Sequence, residues 1–265
     1  MRVLALDFDG VISDSAPESF AVALDTYLAM QPGSRLVRDR EAIARGDAWA
    51  LRDIQAHPLY RAFVEAMPLG NRAEDFGVVL RALDERRPLP DQAAYDVFRD
   101  TVGASWLHTF HSAFYARREA FAERDPVGWR ALLAPYPAFS RLLRARCDRV
   151  ILAIVTAKDR PSVERLLVDY GLDDLFAPER VLDKETGVHK RSHITELASR
   201  LNVGFPTITF VDDKVNHLDD VSGLGVRCAL AAWGYNGPRE HRLALERGYA
   251  VCELADADAI LFGAA

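Results

Sequence analysis

The chain opens on a short apolar run, Val3-Leu4-Ala5-Leu6, that stops at Asp7-Phe8-Asp9-Gly10. Such a run reads as a buried strand ending in a polar, Gly-containing loop. No strand can stand alone, yet from about Ser15 to about Ala134 no segment carries a convincing strand pattern. Instead 18–30, 39–56, 72–87 and 91–123 carry apolar residues at helical spacing, as Leu80 and Leu83 or Phe110, Phe114 and Phe121 illustrate. Pro32-Gly33, the stretch Pro68 to Asn71, and Pro88 to Pro90 punctuate them.

After Pro135-Tyr136-Pro137 the pattern changes. Strands are predicted at 150–156, 181–182, 207–211, 226–231 and 249–253, with helices at 161–170, 192–201 and 218–223 between them. Strands separated by helices of this length imply right-handed crossovers and a parallel sheet covered on both faces. The first strand must join that sheet. The expectation is therefore an α/β core, a doubly wound Rossmann-like parallel sheet built from 1–15 and 135–265, with an all-helical cap, 16–134, inserted after strand one. No internal repeat or low-complexity segment interrupts either part.

In an open parallel sheet, ligands bind beyond the carboxyl ends of the strands. The conspicuous polar residues fall there: Asp7 and Asp9 after the first strand, Thr156-Ala157-Lys158 after the second, and Asp212-Asp213-Lys214 after the strand at 207–211. Clustered carboxylates repel, and a divalent cation with oxygen ligands relieves the repulsion, so Mg2+ is expected. Zinc fits less well, because neither Cys nor His accompanies the acidic groups in these motifs. Phosphate monoesters suit such a site, since metal, ammonium, hydroxyl and N–H groups all stabilise charged phosphoryl oxygens.

Composition narrows the partners. A net charge of −6 and a pI of about 5.7 argue against a nucleic-acid or anionic-membrane surface. The expected partner is a small phosphorylated metabolite, with no nucleic acid and no membrane, and the oligomeric state is left open. Three cysteines, Cys147, Cys228 and Cys252, without CxxC spacing, point away from a disulfide framework. With no signal-peptide core or long apolar run, a cytoplasmic protein is expected. Of 33 basic residues only Lys158, Lys184, Lys190 and Lys214 are Lys. Where Arg supplies generic positive charge, a Lys can mark a place that needs a compact ammonium.

Taken together, Asp7-Phe8-Asp9-Gly10-Val11, Ile154-Val155-Thr156-Ala157-Lys158, Lys190 and Val211-Asp212-Asp213 resemble, in order, the four motifs of the haloacid dehalogenase superfamily. The resemblance covers 1–15 and about 135–265, including Trp233-Gly234-Tyr235-Asn236 after the fifth strand. The insert resembles the helical cap of the phosphoglycolate phosphatase and β-phosphoglucomutase group, though it is longer than usual. The resemblance implies Asp7 as nucleophile and metal ligand. It implies Asp9 as general acid/base, offering its main-chain carbonyl to Mg2+. Thr156 and the N–H groups near Gly10 and Ala157 would hold phosphate, Lys190 would bridge phosphate and nucleophile, and Asp212 and Asp213 would complete the metal site. Many members carry a second Asp four residues after the first of motif four; here Asn216 stands in its place.

The implied activity is an Mg2+-dependent phosphatase acting through an aspartyl-phosphate on Asp7. A phosphomutase shares the same core motifs, and a catalytically retired binding module is the rival from another class. Plainer readings stand beside these: Asp7 and Asp9 as turn formers, Thr156 as a β-branched strand residue, and Asp212 or Asp213 as a helix cap. In the insert, His108 and His111 share a helical face, and Arg72 is a candidate for an anionic substrate group. Lys184, among acidic neighbours and before Gly187, reads as a solvated turn residue.

Overall fold

The computed structural model describes residues 2–46, 48–70, 72–187 and 189–263. The chain divides into two compact units, Met1–Asp14 with Pro135–Ala265, and Ser15–Ala134.

In the first unit the strands of the main sheet are β1 (Val3–Leu6), β2 (Ile151–Val155), β3 (Val181–Leu182), β4 (Ile208–Asp212), β5 (Arg227–Ala231) and β6 (Ala250–Cys252). They form one sheet in the order β6-β5-β4-β1-β2-β3, every pairing parallel. This is the doubly wound α/β core. β1 is central and entirely buried, as an unbroken Val-Leu-Ala-Leu run requires when both faces of a sheet are covered. One face packs Val3, Ala5, Ala153, Val155, Phe210 and Leu230 against Ile194, Leu197, Leu218 and Val221 of the following helices.

The helices of this unit are Pro137–Arg146, Arg160–Tyr170, Lys190–Leu201, Val215–Ser222 and Pro238–Glu246. The first and last lie where the sequence pattern predicts nothing. Each begins with Pro at its first turn, where the fixed φ and the missing N–H cost nothing. Asp159 starts the helix after β2 by accepting from the Ser162 N–H at 2.9 Å.

The second unit is a helical insertion, with eight helices among the described residues: Ala16–Met30, Leu36–Ile43, Leu51–Ala56, Pro58–Ala66, Ala73–Asp84, Gln92–Val102, Ala104–Arg124 and Pro126–Ala131. Two predicted helices are broken. The segment 39–56 turns through Gly46, φ +61°, into a short antiparallel pairing of Ala44–Arg45 with Ala48–Trp49. The segment 91–123 is cut at Gly103, φ +87°, a conformation an L-residue resists. Of the Pro68 to Asn71 break, Asn71 lies outside the described residues.

An aromatic chain fills this unit's core: Phe20 lies 5.3 Å from Phe63, Phe63 lies 5.7 Å from Phe76, and Phe76 lies 5.8 Å from Phe114. Beside it sits the charge of Glu18, fully enclosed. Arg118 meets both its oxygens, at 2.7 and 2.5 Å, and the Trp129 ring N–H donates to it at 3.1 Å. Of the histidines at 108 and 111, His108 is exposed, while His111 pairs with Glu74 at 2.7 Å. Arg72 is exposed.

Candidate active site

The register of the sheet builds the site. Leu6 pairs with Ile154 on one side and Val211 on the other, so Asp7 emerges level with Val155 and Asp212. Thr156 follows one residue later. Three strand ends thus deliver Asp7, Thr156 and Asp212 to the same edge, each buried, at 7%, 1% and 0% exposure.

Lys190 is the first residue of its helix and is itself buried. Its Nζ lies 2.7 Å from Asp7 Oδ1 and 3.2 Å from Asp212 Oδ2, and donates to the Val155 carbonyl at 2.7 Å. Three differently placed oxygens satisfy the three donors of an ammonium. Lys184, the other lysine of this segment, is exposed.

Asp7 Oδ1 also accepts the Phe8 N–H at 2.8 Å, while Oδ2 receives no hydrogen bond from any described residue. Burial pushes the Asp7 carboxyl up to about 6, against the pull of Lys190 and with the push of Asp212. For Asp212, burial acts upward too. The charges of His217 and Lys190, with hydrogen bonds from His217 and the Lys214 N–H, outweigh it and hold the carboxyl well below the usual range. The two anions raise the Lys190 ammonium despite its burial.

Asp9 stands apart from this group. Its backbone bridges to Ser13 across a turn in which Gly10, φ +81°, directs its N–H to the Ser13 carbonyl at 2.8 Å. The Asp9 carboxylate meets the Lys158 ammonium at 3.1 and 3.2 Å. The same loop is tied down by Tyr170, whose hydroxyl is 2.7 Å from Ser13 Oγ and whose ring stacks on Phe8. The Trp233 ring N–H donates to the Val11 carbonyl at 3.0 Å.

Asp213 is buried behind the loop. Its Oδ2 accepts the Tyr235 N–H at 2.9 Å, and its carbonyl accepts from Asn236 Nδ2 at 3.0 Å. Burial, then the negative charge of Asp212, push its carboxyl up to about 8. Gly10 and Gly234 make room for it. A Cβ at Gly10 would come within 2.5 Å of Asp213 Cγ.

Donor atoms of Asp7, Asp212 and His217 lie within 4.8 Å of one another and form a group able to hold a metal ion. His217 Nδ1 sits 3.0 and 3.1 Å from the two Asp212 oxygens. The carboxylates of Asp9 and Asp213 fall outside this group, and Asn216 is exposed. His217 corrects the expectation that no histidine accompanies the acidic groups. Its signal was present: the first turn of the helix after Asp212-Asp213 carries it back over the strand end. Thr156 Oγ1 accepts the Lys158 N–H at 3.1 Å, and the neighbouring Ala157 is exposed.

Residues 1–219 match the family described as haloacid dehalogenase-like hydrolase. The chain belongs to the haloacid dehalogenase-like hydrolases. No curated protein matches the chain at a significant level. Among solved structures it is similar to a predicted phosphoglycolate phosphatase from Haemophilus somnus, at 17% identity, TM-score 0.61, with 98% of this chain and 97% of that one covered. It is also similar to a haloacid dehalogenase-like family hydrolase from Streptococcus pneumoniae, at 12% identity, TM-score 0.61 and 98% coverage of both. At these identities the likeness shows the fold, and the hydrolase family rests on the match over 1–219. Among the described residues no helix is long and apolar enough to cross a membrane.

Proposed function

We propose that this hydrolase is an Mg2+-dependent phosphatase of small phosphorylated metabolites, working through an aspartyl-phosphate on Asp7, with the insert 16–134 as a cap that selects the substrate. One observation carries the reading. Lys190 holds one oxygen of Asp7 at 2.7 Å while the other oxygen accepts no hydrogen bond from the described residues, as an in-line nucleophile needs.

The two carboxylates of the group fit magnesium, which is usually held by one or two carboxylates and completed by substrate phosphate oxygens, while His217 pairs with Asp212. Asp7 and Asp212, with the Asp9 main-chain carbonyl, would hold it, and Asp213 would support that edge from behind. Bound there, it would withdraw charge from the phosphoryl oxygens.

The side chains supply the rest. Asp7 Oδ2 attacks phosphorus. Lys190 neutralises the Asp7 and Asp212 charges that would otherwise repel an anionic ester. The Thr156 hydroxyl and the Ala157 N–H hold phosphoryl oxygens, and Gly10 supplies the tight turn below them. Asp9 gives a proton to the departing alkoxide, then takes one from the water that attacks the Asp7 phosphoryl group, so both carboxyl groups are regenerated. Asp9 is the more exposed of the two, at 34% of its side chain against 10% for Asp7, which suits a group that must meet both alcohol and water.

The test is turnover of p-nitrophenyl phosphate with Mg2+ and with EDTA, then a panel of phosphorylated metabolites that includes phosphoglycolate. Activity should vanish on chelation. Mass spectrometry of quenched reactions should place any trapped phosphoryl group on Asp7, and a phosphoryl group elsewhere refutes the mechanism.

A further inference from the structure

Lys158 is a buried cation that pairs, among the described residues, with Asp9. Its side chain is 6% exposed, and its Nζ hydrogen-bonds to both oxygens of Asp9, at 3.1 and 3.2 Å. Its main chain is fixed at both ends, the N–H on Thr156 Oγ1 at 3.1 Å and the carbonyl on the Lys184 N–H at 3.4 Å. The Asp9 backbone is also pinned, through the Ser13 bridge and the Tyr170 hydroxyl on Ser13. With both backbones held, the Lys158 contact acts on the Asp9 side chain, which is one-third exposed. Burying a lysine stem and its charge is costly unless the ammonium is matched. The match is to Asp9, while Lys190 serves the other two carboxylates.

We propose that Lys158 is a positioning residue for Asp9: its contact with the Asp9 carboxyl sets the rotamer in which one oxygen, carrying the proton, meets the leaving oxygen while the other stays on the ammonium. This rests on the phosphatase reading above. In the first half-reaction the Asp7 oxygen bonds to phosphorus, the ester P–O bond breaks, and the Asp9 proton moves to the departing oxygen. Loss of Lys158 leaves the nucleophile, Thr156 and Lys190 in place and removes the ammonium that holds the Asp9 carboxyl in this rotamer. Proton delivery then suffers, and phosphate binding does not.

Leaving groups separate these. p-Nitrophenolate departs as a stable anion, whereas phenolate, of nearly the same shape, needs a proton near neutral pH. The parameter to read is kcat/KM, which covers steps up to departure of the phenol and excludes hydrolysis of the aspartyl-phosphate. Lys158→Met should lower kcat/KM at least about ten-fold more for phenyl phosphate than for p-nitrophenyl phosphate. Lys158→Gln, which keeps one donor, should lose less. In an Asp9→Asn background Lys158→Met should have no further effect, because residues acting as one unit are not additive. Thermal melts confirm that each variant folds, and the Gln variant carries the test if the Met variant does not.

Equal loss with both esters, no loss with either, or full multiplicative loss on top of Asp9→Asn would each overturn the assignment while wild-type turnover keeps the phosphatase reading. A wild-type protein inert toward both esters overturns that reading and this inference with it.

Discussion

Asp7 offers a direct test of which force dominates the site before a metal binds. Lys190 at 2.7 Å favours the carboxylate, while burial and Asp212 favour the acid, and the balance lifts Asp7 from 3.8 to about 6. Each pKa unit is worth about 1.36 kcal/mol, so an ionised Asp7 costs the folded chain about 3 kcal/mol. The folded chain binds this proton more tightly than the unfolded chain. The penalty is therefore complete above about pH 6 and fades as pH falls toward 3.8. About half of it remains at pH 5.

Asp7→Asn removes the titrating group and leaves Asp212 at 3.2 Å to match Lys190, so no buried charge is orphaned. Urea unfolding in EDTA should find the variant more stable than the wild type by about 3 kcal/mol near pH 7.5, with the gap roughly halved near pH 5. The gap between the two proteins cancels the titration of carboxylates elsewhere. A variant less stable than the wild type near pH 7.5, or a gap independent of pH, would refute the reasoning and show that the Lys190 pair outweighs desolvation.

Magnesium at about 100 times its Kd should stabilise the wild type by about 2.7 kcal/mol near pH 7.5, and much less near pH 5, where Asp7 takes up its proton; thermal melts with and without the ion check this. Gly234→Ala places a methyl group against Asp213 Cβ and within 2.5 Å of the Gly10 carbonyl oxygen. It should cost about 1–3 kcal/mol in urea unfolding and reduce kcat. Glu18→Ala breaks the ion pair of this buried carboxylate with Arg118 inside the insert and should cost about 3–5 kcal/mol, read as a lower thermal midpoint. Lys190→Ala should abolish most turnover, whereas Lys184→Ala, at an exposed position, should change kcat/KM by less than about three-fold.

The parallel sheet was legible because its strands are buried on both faces and show as unbroken apolar runs. β3 falls at the predicted residues, and β2, β4, β5 and β6 lie within two residues of the predicted ends. The helix Pro137–Arg146 was not legible, since Arg141, Arg144 and Arg146 dilute the apolar spacing of Phe139 and Leu143. The cuts at Gly46 and Gly103 were missed for another reason. A lone Gly within a helical pattern is often tolerated, and only its φ, +61° and +87° here, shows that the chain turns. At the site, motif spacing pointed to Asp7, Thr156 and Asp212 because they end strands, and register brings strand ends together. His217 was overlooked although it stands in the first turn of the helix after Asp212-Asp213, and the Asp9–Lys158 pair was hidden, because it depends on which way a loop carries a side chain, and spacing alone does not encode that.

The four lysines show why charge type, and not only charge, is informative in this chain. Lys190 satisfies Asp7, Asp212 and the Val155 carbonyl, three oxygens from three different groups rather than the paired oxygens of one carboxylate. A guanidinium presents its donors in one plane and is larger, so it matches a single carboxylate edge-on, as Arg118 matches Glu18 and Arg146 matches Asp258. The ammonium is compact enough to sit between two anions at the end of a sheet. Lys158 differs: it meets the two oxygens of one carboxylate, Asp9, reached from a neighbouring strand end through a buried stem. Lys190 therefore occupies a place that suits a compact cation better than a planar one, and most of the positive charge of the molecule is left to arginine.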